Sequence, residues 1–118
     1  MLAKENRVRT ADDFRATVRR GRRFATPHTV VYVAHNQDLV APKFGFIITK
    51  AVGKAVTRNL LRRRLRGISQ DIIVARGASP DLAGANIVVR VLPPAASISW
   101  STLHTEIENA VSQSVRQA

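Results

Sequence analysis

The stretch KAVGKAVTRNLLRRRLR, residues 50–66, decides how this chain folds. It holds seven basic residues and no acidic one, and between Asp38 and Asp71 there is no carboxylate at all. Leu61, Leu65, Ile68 and Ile72 recur at i, i+4, i+7 and i+11, which sets them on one edge of an α-helix. At about 100° per residue, Arg58, Asn59, Arg62, Arg63 and Arg66 fall together on the adjacent arc. The pattern predicts an amphipathic helix starting near Gly53 to Ala55 and running to about residue 74, apolar on one edge and cationic on the other. Gly67 weakens it locally by up to about 1 kcal/mol relative to Ala.

Upstream, Thr10-Ala-Asp-Asp13 reads as a helix start. The Thr10 hydroxyl can accept from the Asp13 N–H while the Asp13 side chain reaches back. Asp12 and Asp13 suit the positive end of the helix dipole, Arg19 and Arg20 the negative end, and Gly21 the stop. A short helix is therefore expected over residues 11–20, with Phe14 and Val18 on one face. His28 to His35 is β-favouring, with Val30, Tyr32 and Ala34 on one side and Val31 and Val33 on the other. Both sides are largely apolar, so both are expected to be covered. Asn36-Gln37-Asp38 reads as a turn, and Lys43 to Thr49 as a second strand antiparallel to the first. Phe44, Phe46 and Ile48 share one face of it, and Gly45, Ile47 and Thr49 the other. Residues 22–26 add a short edge strand before Pro27.

Downstream, residues 77–85 are loop-like in composition, and Asn86 to Leu92 is a buried-type strand closed by Pro93-Pro94. Ser97 or Ser99 caps a last helix in which Leu103, Ile107, Val111 and Val115 repeat every four residues. The order is αβββαβα and the class is α+β, a single mixed sheet of about four strands with three helices packed on it. The strand–helix–strand unit from Lys43–Thr49 to Asn86–Leu92 argues for one parallel pair.

The 118 residues suit a single domain, and 45% hydrophobic content allows it a core. The formal charge of +11 is unevenly placed: residues 1–70 hold 16 Lys/Arg against 4 Asp/Glu, residues 71–118 hold 3 against 4. Such a one-sided face repels itself unless something negative neutralises it, and nucleic acid is the commonest such partner, ahead of a membrane surface or an acidic protein. There is no cysteine, which excludes disulfides and thiolate metal sites. The first residues lack the apolar core of a signal peptide, and no apolar run approaches the roughly 20 residues of a membrane span. A cytoplasmic location and no membrane partner are expected.

Arg binds two phosphate oxygens through a planar fork and stays charged at any working pH. At i, i+4 and i+8, Arg58, Arg62 and Arg66 line up over about 12 Å, and Asn59 adds a neutral donor and acceptor among them. Neutralising about five phosphates gives a log–log salt slope of roughly −3.5 to −4.5. The alternative is a solvated basic face with no partner. Phe14, Val30 and Tyr32 offer either base stacking or ordinary core packing, with Arg7, Arg9, Arg15, Arg19, Arg22 and Arg23 near them in sequence. His28, His35 and His104 follow no metal-ligand or nucleophile spacing, and surface or edge roles are expected for them. Asp12-Asp13 is explained by capping, and Asp38 and Asp81 lie in turn-like segments. Nothing resembles a phosphate loop, a zinc site or a catalytic triad.

The segment Gly53-Lys-Ala-Val-Thr-Arg-Asn-Leu-Leu-Arg-Arg-Arg-Leu-Arg66 resembles the signature of the bacterial ribonuclease P protein subunit, a G-x-A-V-x-R-N-R-x-(K/R)-R-x-x-R helix. In that family the helix follows a strand ending in a basic turn, here Ile48-Thr49-Lys50. Asn6-Arg7-Val8, Asp13-Phe14 and Arg20-Gly21 match the family's opening, and Tyr32 matches an aromatic in the next strand. The resemblance runs from about Asn6 to Leu92. Leu60 stands in place of the arginine that follows the Arg-Asn pair, with Arg64 one turn on as a partial substitute. Val18 stands where a second aromatic is usual.

The resemblance implies the fold of the second domain of ribosomal protein S5, with a left-handed βαβ crossover where the general rule gives a right-handed one. It implies a single RNA-binding domain over residues 1–118 with short flexible termini. It also implies a catalytic centre in the RNA subunit, none in this chain, and no metal bound by protein side chains, magnesium being required by the holoenzyme. Partners are the catalytic RNA and precursor tRNA, with no DNA expected. Lys50, Lys54, Arg58, Asn59, Arg62, Arg63 and Arg66 would contact the catalytic RNA. Phe14, Val18, Val30, Tyr32, Arg7, Arg9 and Arg15 would form the cleft for the 5′ leader. A ribosomal or other RNA-binding protein of similar fold, without a processing role, is the alternative.

Overall fold

The basic helix forms as α2, Ala55–Arg76, in a computed structural model that describes residues 2–35, 41–76 and 82–116. Leu61, Leu65, Ile68 and Ile72 are all buried on its inner edge, each worth about 1.5–3 kcal/mol of transfer from water. The other elements are α1 (Ala11–Arg20), β1 (Arg22–Ala25), β2 (Thr29–His35), β3 (Lys43–Ile47), β4 (Ala85–Val91) and α3 (Trp100–Arg116). The αβββαβα order is therefore as expected. The turn at residues 36–38 and the loop over residues 77–81 lie outside the described residues.

The four strands form one mixed sheet in the order β1-β2-β4-β3. β1 pairs antiparallel with β2, β2 antiparallel with β4, and β3 parallel with β4. β2 and β3 do run in opposite directions, but they are not neighbours. β4, returning after α2, inserts between them and takes the centre of the sheet. Its sequence suits that position, because Ile87, Val88, Val89 and Val91 are buried on both faces.

The two faces carry different layers. On one, α2 and α3 pack Leu61, Leu65, Ile68, Ile72, Leu103, Ile107 and Val111 against Phe24, Val31, Val33, Phe44, Ile87 and Val89. On the other, Val8, Val30, Tyr32 and Val88 form a smaller cluster, with Phe14, Val18, Ile47 and Leu92 packed against it. α1 lies over part of this second face. A Cβ at Gly45 would stand 2.6 Å from the Phe14 ring, so the bare glycine is what lets that ring rest on β3.

The ends of α1 depart from the expected capping in two ways. Thr10 Oγ1 accepts from the Asp13 N–H at 3.1 Å, but no return bond from the Asp13 carboxylate forms among the described residues. Asp is one methylene shorter than the Glu or Gln that completes such a box. Gly21 ends the helix in an extended conformation, not a left-handed one. A side chain there would collide with the Thr17 carbonyl at 2.4 Å, so close approach is what requires glycine. At α3, Ser99 is the cap, its hydroxyl accepting from the Thr102 N–H at 3.1 Å.

Candidate nucleic-acid interface

Two layers meet at the outer edge of β3. The N-terminal segment is tied along that edge: the Val8 N–H donates to the Phe44 carbonyl at 2.9 Å, and Asn6 Nδ2 to the Pro42 carbonyl at 2.9 Å. A cleft of about 150 Å³ opens there, lined by Arg7, Val8, Phe14, Gly45, Phe46, Arg62 and Arg66 among others. Phe14 and Arg7, expected in the leader cleft, thus share a cavity with Arg62 and Arg66, expected on the catalytic-RNA face. The sequence patterns treat these as two sites; the fold makes them adjoin.

Along α2 the cations remain available. Lys50, Lys54, Arg63 and Arg66 are exposed, and Arg58 and Arg62 are half-buried. Among the described residues, none of the six forms an ion pair with a carboxylate. Arg58 Nε donates to the Gly53 carbonyl at 3.2 Å, which holds it against the start of the helix. Arg62 Nη1 lies 3.5 Å from Asn59 Oδ1, at the limit of a hydrogen bond. A line of guanidinium groups without counter-charge keeps its field for a polyanion.

The residues expected in the leader cleft separate by exposure. Val30 and Tyr32 are 4% and 8% exposed, so they lie beneath the surface as part of the second cluster. Phe14 and Val18 are half-buried, and Arg9 and Arg15 are exposed. Arg15 pairs with Asp12 one turn back. Arg7 turns inward instead, its Nε and Nη2 donating to the Leu2 carbonyl at 2.9 and 2.7 Å. It fastens the N-terminal segment and spends two donors doing so.

Arg90 on this sheet face escaped the sequence reading, whereas Arg23 was already counted among the nearby cations. Arg90 is exposed, and its register places it between Val30 and Ile47. Arg23 is exposed opposite Tyr32. The signal was available, since alternation along Asn86, Val88 and Arg90 puts them on the side away from Ile87, Val89 and Val91. A charged residue inside a buried-type strand needs an outlet to solvent or a partner.

His28 is more engaged than an edge position requires. Glu106 of α3 accepts from His28 Nδ1 at 2.6 Å, from the His28 N–H at 3.1 Å and from the Thr26 hydroxyl at 2.7 Å. Burial pushes the Glu106 carboxyl up, but the bonds from His28 and Thr26 and the His28 charge together pull it below the ordinary carboxylate range. This clasp joins the β1–β2 connection to α3, away from the cationic face. Among the described residues no group of three or more His, Cys, Asp or Glu could hold a metal ion, and no helix is long and apolar enough to cross a membrane.

Known proteins share both the sequence and the shape. The family model described as Ribonuclease P matches residues 2–115. The ribonuclease P protein component of Clavibacter michiganensis subsp. michiganensis is 46% identical, covering 98% of this chain and 98% of its own length. That of Kocuria rhizophila is 40% identical over 99% of this chain and 98% of its own length. Two solved structures show the same fold. A Staphylococcus aureus RNase P protein mutant with defective mRNA degradation activity superposes with a TM-score of 0.79 at 21% identity, covering 92% of this chain and 87% of its own. The RNase P protein from Thermotoga maritima gives a TM-score of 0.77 at 22% identity, covering 91% and 96%. The chain belongs to the ribonuclease P protein family, the protein components of an endoribonuclease whose catalytic centre is in RNA.

Proposed function

We propose that this chain docks on the catalytic RNA of ribonuclease P through the outer face of α2 and guides the 5′ leader of precursor tRNA past α1, so that the RNA removes the leader. The observation that carries this reading is the uncompensated cationic line on α2, adjoining the Phe14 cleft. Lys50, Lys54, Arg58, Asn59, Arg62, Arg63 and Arg66 meet the catalytic RNA. Phe14 and Val18 meet the leader, backed by buried Val30 and Tyr32, with Arg9 and Arg15 supplying phosphate contacts beside them. Arg7 holds the N-terminal wall of the cleft through Leu2. Magnesium serves the RNA of the holoenzyme, and the work takes place in the cytoplasm.

The test is precursor tRNA cleavage at low magnesium with the catalytic RNA alone, this protein alone, and the two together. Stimulation only in the mixture is expected. The protein-alone arm matters because the Staphylococcus aureus relative is described by an mRNA degradation activity; cleavage in that arm would make this chain a nuclease in its own right. Binding of RNA without stimulation would assign it a purely structural role.

A further inference from the structure

α2 has a second flank, opposite the Phe14 cleft. At about 100° per residue, Arg62 and Arg66 point toward the cleft, Arg63 sits at the crest, and Leu60, Arg64, Gly67 and Asp71 turn the other way, toward α3. The contacts agree. Arg64 Nη1 donates to the Ile98 carbonyl at 3.2 Å, and Asp71 Oδ2 lies 3.7 Å from His104 Nε2. Between those two tie points stands Trp100, 41% exposed, its ring 4.9 Å from that of His104 and tilted by 35°.

Gly67 occupies the corresponding point on α2, three residues after Arg64 and four before Asp71. A Cβ there would meet nothing within 4 Å. No packing inside the molecule asks for a glycine, yet glycine in a helix interior is costly. Glycine also lets another backbone approach closely. Leu60, 40% exposed, lies on the same flank of α2, one turn before Arg64.

We infer that the exposed strip between α2 and α3, from Arg64 to Asp71 on one side and Trp100 on the other, forms a groove that seats one unpaired nucleotide of the catalytic RNA, its base stacked on Trp100 and its backbone passing over Gly67. The phosphate lies at the Arg63–Arg64 end, because Asp71 repels it from the other. Aromatic rings take any base on their faces, and Arg beside them takes the phosphate. The inference rests on the proposed docking of α2: the groove continues the cationic crest and lies across it from the leader cleft, which assigns it to the catalytic RNA and not to the precursor.

Trp100 is the only tryptophan in the chain, so its emission reports the groove directly. Titration of the protein with catalytic RNA should give a saturable loss of emission, and titration with precursor tRNA alone should not. Trp100→Ala should weaken catalytic-RNA binding by about 5- to 150-fold with the salt slope unchanged, and Trp100→Phe should recover most of that loss. Gly67→Gln should leave the free protein at least as heat-resistant and still weaken binding. Tight, salt-dependent binding with unaltered emission and unaltered Trp100→Ala affinity overturns the inference while leaving α2 docking intact. Quenching by precursor tRNA or by an added protein, and not by catalytic RNA, overturns it as well. Absence of any catalytic-RNA binding removes both this inference and the docking reading beneath it.

Discussion

At the scale of single residues, the sheet face under α1 depends on contacts that leave little slack. Gly45→Ala puts a methyl group into the Phe14 ring, which must lift α1 off the sheet. Overpacking of this kind costs about 1–3 kcal/mol, and chemical denaturation should show it. Tyr32→Ala should cost about 3 kcal/mol, since a side chain only 8% exposed leaves a cavity. It should also reduce the preference for leader-bearing precursor over mature tRNA by letting Phe14 and Val18 sink. An unaltered preference in a still-folded variant would make Tyr32 a core residue and nothing more. Alternation did place Val30 and Tyr32 on one side of their strand. It could not show that Phe14 and Val18 of α1 cover them, nor that Gly45 is the seat of Phe14, because both facts join segments far apart in sequence.

At the scale of elements, the helices were legible and the strand order was not. A repeat such as Leu61, Leu65, Ile68, Ile72 carries its own geometry, and α2 overran its expected end by only two residues because nothing between Ile72 and Arg76 breaks a helix. β2 and β3 each read correctly as strands, yet their adjacency was a default drawn from closeness in the chain. The placement of β4 between them is a long-range decision, made by two apolar faces that only a central strand can bury. The clasp on α3 was equally hidden, joining Glu106 to Thr26 and His28 across the molecule. Its energetics follow from sign. A carboxyl held below its ordinary value of about 4.3 contributes stability that is complete above that pH and fades as pH falls through the folded-state value. Glu106→Gln should therefore lower stability by about 1–2 kcal/mol at pH 7. The gap between variant and wild type should close on acidification below about pH 4. A gap that is constant across this range would mean that the charge of Glu106 contributes nothing.

At the scale of the whole molecule, charge and shape divide the labour. The sequence places its positive excess before residue 71, and the fold gathers that excess around α2, the N-terminal segment and the α1 face of the sheet. The acidic residues of α3 answer His28 and Arg76 and leave the ridge uncancelled. The central claim is that this ridge neutralises phosphates of the catalytic RNA. The salt dependence of that binding measures it most directly. The wild-type protein should show a log–log slope of about −3.5 to −4.5, and Arg62→Ala with Arg66→Ala should flatten it by roughly 2 units. A double variant that binds with the wild-type slope would place those guanidinium groups away from the RNA and contradict the account.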